Sequence, residues 1–146
     1  MKIKNTQRIY KLTFNNPVNI TYCDCKVHVG NPIEVLESRQ MDMDISEIMK
    51  PNGSLYCVKV EGDSMRGEGI FSGDEAIFDS ERSVIDGDIV VASIDNEYTV
   101  KLFRKDEEGN VRLEPTNKRY KTYYLDENSN VRVLGVVVNV IRNCAR

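Results

Sequence analysis

The chain has no tryptophan and one histidine, His28, among 146 residues. Histidine is the usual proton acceptor for a hydroxyl nucleophile, and none lies near the candidate serine, Ser64, in the sequence, which raises the question of what base would serve it. Cysteine is sparse as well. Cys23 and Cys25 form a C-x-C pair, and no second pair or histidine cluster completes a zinc site. Cys57 lies in an apolar strand pattern and reads as a small core residue. Reduced, structural thiols are expected. There is no excess of positive charge: the net charge is -3, which argues against a surface built mainly to hold nucleic acid. No apolar run approaches the ~20 residues needed to span a bilayer. The longest, 131–141, contains Arg132 and Asn139. The opening MKIKNTQRIYKLTF has no signal-peptide core, so a cytoplasmic location and no membrane association are expected. What remains is a soluble globular composition, 40% hydrophobic and 29% charged, of a length that suits one core.

Residues 1–30 read differently from the rest. Tyr10, Leu12 and Phe14 alternate, as do Val18, Ile20 and Tyr22, with Asn15-Asn16-Pro17 between them. This pattern predicts a short hairpin or an extended arm. It lacks the helical spacing of a helix-turn-helix domain. Residues 30–54 read as a connector with a short helix, in which Asp44 is the N-cap and Ile45, Ile48 and Met49 share a face. From Leu55 onward the pattern is strand and turn. Strands are predicted over 55–60, 75–79, 88–94, 98–104, 111–114 and 131–141, separated by Gly73-Asp74, Asp86-Gly87, Asp95-Asn96 and Glu108-Gly109-Asn110. Asp95-Asn96 signals a tight hairpin. Asp74 and Asp88 are expected to hold turns through backbone amides. The fold class is mainly β, a compact barrel-like arrangement of short strands with an extended N-terminal arm.

The stretch VKVEGDSMRGEGIFSGDEAIFD, residues 58–79, begins and ends as a strand. Between lies a glycine-rich loop carrying Ser64. Asp63 adjoins it, but adjacent side chains usually diverge. Lys101 is the better base. It lies in a strand where Thr99, Lys101 and Phe103 point one way and Tyr98, Val100 and Leu102 the other. Apolar groups on both faces predict burial. Desolvation disfavours the ammonium form of a lysine, which is what lets one act as a base. Such a lysine, facing a serine on a glycine-rich turn, would have the chemistry of a Ser-Lys dyad. On local chemistry alone the alternatives stay open: Ser64 caps a turn, and Lys101 snorkels from an edge strand.

Four stretches together, VEGDSMRGEGIFSGDEAIFD, DGDIVVASIDNEYTVKLF, LEPTNKRY and VLGVVVNVIR, resemble the self-cleaving serine peptidase domain of the LexA/UmuD family. The resemblance covers about residues 27–143, and the Ser64-to-Lys101 interval is the family's. It implies that Ser64 is the nucleophile and Lys101 the general base. Backbone N–H groups of Ser64 and Met65 are the implied oxyanion donors. It implies self-cleavage at Val29-Gly30, which would release an arm of residues 1–29 and leave 30–146, in which 55–146 are the peptidase and dimerisation domain. Family members cut Ala-Gly or Cys-Gly bonds. Valine at this position is a departure, and its branched Cβ favours a slow, shifted or absent cut. His28 is then part of the substrate segment. No cofactor or metal is implied. With 29 residues before Gly30, the arm resembles that of the UmuD branch. That branch implies a homodimer stimulated by a RecA filament on single-stranded DNA. After cleavage it would serve a Y-family (UmuC-like) translesion polymerase subunit, with no direct sequence-specific DNA binding. Two alternatives accompany this reading: an idle binding module of the same fold, and the peptidase and dimerisation part of a phage-type repressor. The 131–141 run is expected to be a dimer contact, a core strand, or both.

Overall fold

Strand-forming runs broken by turn residues assemble into an antiparallel sheet in the computed structural model, which describes residues 2–3, 9–13, 19–23, 40–44 and 54–145. The strands are β1 (Lys2–Ile3), β2 (Tyr10–Lys11), β3 (Asn19–Cys23), β4 (Gln40–Asp44), β5 (Leu55–Lys59), β6 (Glu75–Asp79), β7 (Ile89–Ile94), β8 (Glu97–Lys105), β9 (Val111–Glu114), β10 (Tyr123–Tyr124) and β11 (Val131–Ile141). The mainly-β expectation holds, and the long strands begin and end within a residue or so of the predicted bounds. Hydrogen-bonded neighbours run β10-β9-β8-β7-β11-β6-β5-β2, with β1 also paired to β8.

Two compact units divide the chain. One comprises Met1–Thr13 and Asn52–Arg146, the other Phe14–Pro51. Within the second, β3 pairs with β4 from Asn19↔Asp44 to Cys23↔Gln40. Of the two arrangements expected for 10–22, a hairpin or an extended arm, the hairpin is not seen among the described residues. Tyr10 and Lys11 instead pair with Cys57 and Tyr56 on the edge of β5. Alternation specifies which face a strand buries but not which edge it joins. Asp44 ends a strand, and the helix expected after it lies outside the described residues.

β11 ties the larger unit together. Residues Val131 to Val136 pair with β7, and Val136 to Ile141 pair with β6. The strand is therefore interior to the ladder, the core reading of its apolar run, with Val140 and Ile141 left exposed at its far end. It changes neighbours near Gly135, beside two register shifts. A side chain at Gly135 would meet the Asp79 carbonyl at 2.5 Å. Only glycine lets the strands pass that closely.

Two apolar clusters fill the core. Val58, Val60, Met65, Ile70, Ala76, Phe78, Val91 and Val100 form one. Val90, Ala92, Ile94, Phe103, Leu113 and Val136 form the other. Neighbouring residues of β7, Val90 and Val91, fall in different clusters, so this strand is buried on both faces, as alternation requires. Burial at roughly 25 cal/mol per Å² of apolar surface makes these clusters the main stabilising term.

Candidate active site

Ser64 stands on a loop that leaves the sheet after β5 and returns at β6. Its neck is closed by Val60 N–H to Asp74 C=O and Gly73 N–H to Val60 C=O, both 2.8 Å. Val60, Met65 and Ile70 anchor the loop in the first core cluster. Met65 turns inward directly after Ser64, and the serine is carried below the surface with it, to 0% exposure. A single 3-10 turn, Arg66–Glu68, follows and ends at Gly69, where φ is 73°. Glycine takes that left-handed conformation without steric cost.

As expected, Asp74 holds the end of the loop, its carboxylate accepting Phe71 N–H at 2.8 Å. It also receives Arg142 Nε and a terminal guanidinium N–H at 2.7 and 2.6 Å. The Arg142 bonds hold this buried carboxyl below the usual carboxylate range. Arg142 reaches on to the Gly69 carbonyl at 2.9 Å and lies over the Phe71 ring. Asp88 plays the equivalent turn role, accepting Ile85 N–H at 2.9 Å.

Lys101 arrives from β8, opposite Val90 on β7. The β7–β8 connection is the tight Asp95-Asn96 turn, with φ of 49° and 65° at its two residues, as the dipeptide predicted. Lys101 is 4% exposed. Its Nζ lies 2.9 Å from Ser64 Oγ, 2.9 Å from Thr99 Oγ1 and 3.3 Å from the Val100 carbonyl. The structure therefore brings together the two side chains singled out in the sequence, across 37 positions. Thr99 was not singled out. Its signal was available: two residues before a strand lysine is the same face. Removal from water disfavours the lysine ammonium. A neutral amine at this distance from a hydroxyl is within proton-transfer reach.

The amides of Ser64 and Met65 donate to no other group among the described residues. Val29, Gly30 and His28 lie outside the described residues, as does Cys25. Cys57 is partly buried beside Glu75, and its thiol is pushed up to about 11, by burial first and then by the Glu75 hydrogen bond.

A segment with no role assigned from the sequence completes the site. Residues 116–120 lie against the serine loop. Thr116 N–H donates to the Ser64 carbonyl at 2.8 Å. Asn117 Nδ2 donates to the Asp63 carbonyl at 3.1 Å, and Tyr120 hydroxyl to the Asp63 carboxylate at 2.6 Å. That last bond holds Asp63 below its ordinary range and pushes the Tyr120 phenol up. Tyr120 thus grips the neighbour of Ser64. Among the described residues a cavity of about 200 Å³ opens beside Lys101, lined in part by Tyr98, Thr99, Tyr120 and Tyr123.

A family model described as Peptidase S24-like matches residues 20–138, which include Ser64 and Lys101. The chain is 41% identical over 118 residues to the LexA repressor of Clostridium perfringens (strain SM101 / Type A), covering 80% of this chain and 56% of the repressor. It is 38% identical over 117 residues to the LexA repressor of Acetivibrio thermocellus, covering 80% and 54%. For that of Carboxydothermus hydrogenoformans the identity is 35% over 117 residues, covering 80% and 56%. The chain spans about half the length of the curated relatives it matches. With a buried serine against a buried lysine, and a match across most of its length, the chain belongs to the Peptidase S24-like family.

Proposed function

We propose that this chain is a self-cleaving Ser-Lys peptidase and dimerisation unit of a repressor-type protein. The observation that carries this is the 2.9 Å contact between Ser64 Oγ and Lys101 Nζ, both buried. Neutral Lys101 takes the Ser64 proton as Oγ attacks the carbonyl carbon of Val29. The carbonyl oxygen becomes an oxyanion and receives the N–H groups of Ser64 and Met65. Collapse breaks the C–N bond to Gly30, whose leaving amine takes the proton back from Lys101. Water then hydrolyses the ester on Ser64. Thr99 orients the lysine throughout. The cavity beside Lys101 supports this reading, since it offers an extended segment a place next to the nucleophile.

The relatives are named as repressors, which favours the repressor alternative over the polymerase-accessory role expected from the sequence. For the same reason the expectation of no sequence-specific DNA contact is not retained. A homodimer through the exposed end of β11, and stimulation by a RecA filament on single-stranded DNA, belong to this proposal.

Intact-protein mass spectrometry across pH 7 to 10 tests it, with Ser64→Ala and Lys101→Ala as controls. Fragments ending at Val29 and starting at Gly30 are expected from the parent alone, faster as pH rises and neutral Lys101 accumulates. A parent that stays intact at every pH, with and without the RecA filament, leaves a binding module and no peptidase.

A further inference from the structure

The two amides assigned to the oxyanion belong to peptide groups whose other ends are held. In a trans peptide the carbonyl of one residue and the N–H of the next point in opposite directions, and the described peptide bonds are trans. Whatever fixes the Asp63 carbonyl therefore aims the Ser64 N–H. Whatever fixes the Ser64 carbonyl aims the Met65 N–H.

Both carbonyls are held by consecutive residues of one segment. Asn117 Nδ2 donates to the Asp63 carbonyl at 3.1 Å, and Thr116 N–H to the Ser64 carbonyl at 2.8 Å. With both carbonyls drawn toward 116–117, both N–H groups face the other way. The Asp63 carbonyl has a second donor, Arg66 N–H at 3.2 Å within the turn.

The segment is itself firmly seated. A Cβ on Gly67 would stand 2.5 Å from the Thr116 carbonyl oxygen. Thr116 Oγ1 lies 3.9 Å from Met65 Sδ, and Tyr120 hydroxyl donates to the Asp63 carboxylate at 2.6 Å. Asn117 Oδ1 accepts Arg119 N–H at 3.1 Å, which fixes which end of the amide faces the serine loop.

We infer, resting on the peptidase reading above, that residues 116–120 are a positioning strap. Thr116 and Asn117 aim the Ser64 and Met65 amides at the site of the developing oxyanion. Preorganised donors act because they need no reorientation as charge develops. Asn117 is the positioning side chain. Its contribution lies in the rate reached once Lys101 is neutral, and not in the pH at which that happens.

The test is self-cleavage of the intact chain as a function of pH, followed by mass spectrometry, for parent and Asn117→Leu. Labelling of Ser64 by a fluorophosphonate probe is measured alongside. Leucine keeps the approximate shape and charge and removes the donor. Deleting a whole oxyanion donor costs about 10²–10³ in rate. Here the Arg66 N–H still holds the Asp63 carbonyl, so roughly a tenfold fall in the plateau rate is expected. The midpoint of the pH profile stays where it was, and labelling slows in parallel. Asn117→Ala, which adds no bulk, serves if the first variant does not fold. An unchanged plateau in an active parent overturns the strap alone, as does a fall accompanied by a moved midpoint. A parent that neither cleaves nor labels overturns the peptidase reading and the strap with it.

Discussion

Replacing Gly67 with alanine measures how tightly the 116–120 segment presses on the serine loop. Gly67 is not among the glycines in the left-handed conformation, so alanine meets no backbone strain there. In open space the change would stabilise by about 0.4–1 kcal/mol, through the unfolded chain. The space is not open. The new Cβ would stand 2.5 Å from the Thr116 carbonyl oxygen and 2.9 Å from its Cβ. Carbon–oxygen contacts settle near about 3.3 Å, so the segment must retreat by roughly 0.8 Å. Thr116 N–H is 2.8 Å from the Ser64 carbonyl, and a shift of that size along the bond carries it beyond the ~3.2 Å range of such bonds. Overpacking costs about 1–3 kcal/mol, and the lost hydrogen bond about 0.5–1.5 kcal/mol. Net of the entropic gain, about 2 kcal/mol of stability is lost. For a chain of this size that lowers Tm by roughly 5–10 °C. Calorimetry and urea unfolding of parent and Gly67→Ala measure it. A variant as stable as the parent, or more stable, refutes the tight seating.

Three further outcomes follow from the same structure. Asp74 is held below its ordinary range in the folded protein by Arg142. It therefore stabilises fully above the usual unfolded carboxylate range, near pH ~4, and that stabilisation is lost as pH falls through the depressed folded value. Urea midpoints measured against pH should show a shallower acid limb for Asp74→Asn, and parallel curves would count against the assignment. Cys57, pushed up to about 11, should react with iodoacetamide at pH 8 far more slowly than the exposed Cys144. Equal rates by mass spectrometry contradict this. Asn96 has φ of 65°, so Asn96→Val should cost about 1–2 kcal/mol in denaturant unfolding while Asn96→Gly should not; equal losses would show that the turn tolerates a β-branched residue.

Strand positions and turns were legible because they are local. Apolar alternation in 89–94 and 98–104, with Asp-Asn between, specifies a hairpin regardless of the rest of the chain. The burial of Lys101 was legible for the same reason, since apolar neighbours on both sides of a strand residue leave it no solvent face. Pairing was not legible. Tyr10 and Lys11 alternate as well as any strand, yet they join β5. The apolar run at 131–141 reads as a dimer contact, a core strand, or both. Only its pairing with β7 over one half and β6 over the other makes it interior.

The Ser64–Lys101 dyad entered only as what the family resemblance implies. The residues by themselves determined the mainly-β class and the turn chemistry. Each of those depends on residue type and short-range spacing. The tertiary structure alone decided that Ser64 and Lys101 meet, that Thr99 touches the lysine, and that 116–120 grips the serine loop. Those are contacts between segments far apart along the chain. Nothing in Asn117 itself marks it for the Asp63 carbonyl 54 positions away. Such contacts arise only when the sheet order carries distant loops to the same place.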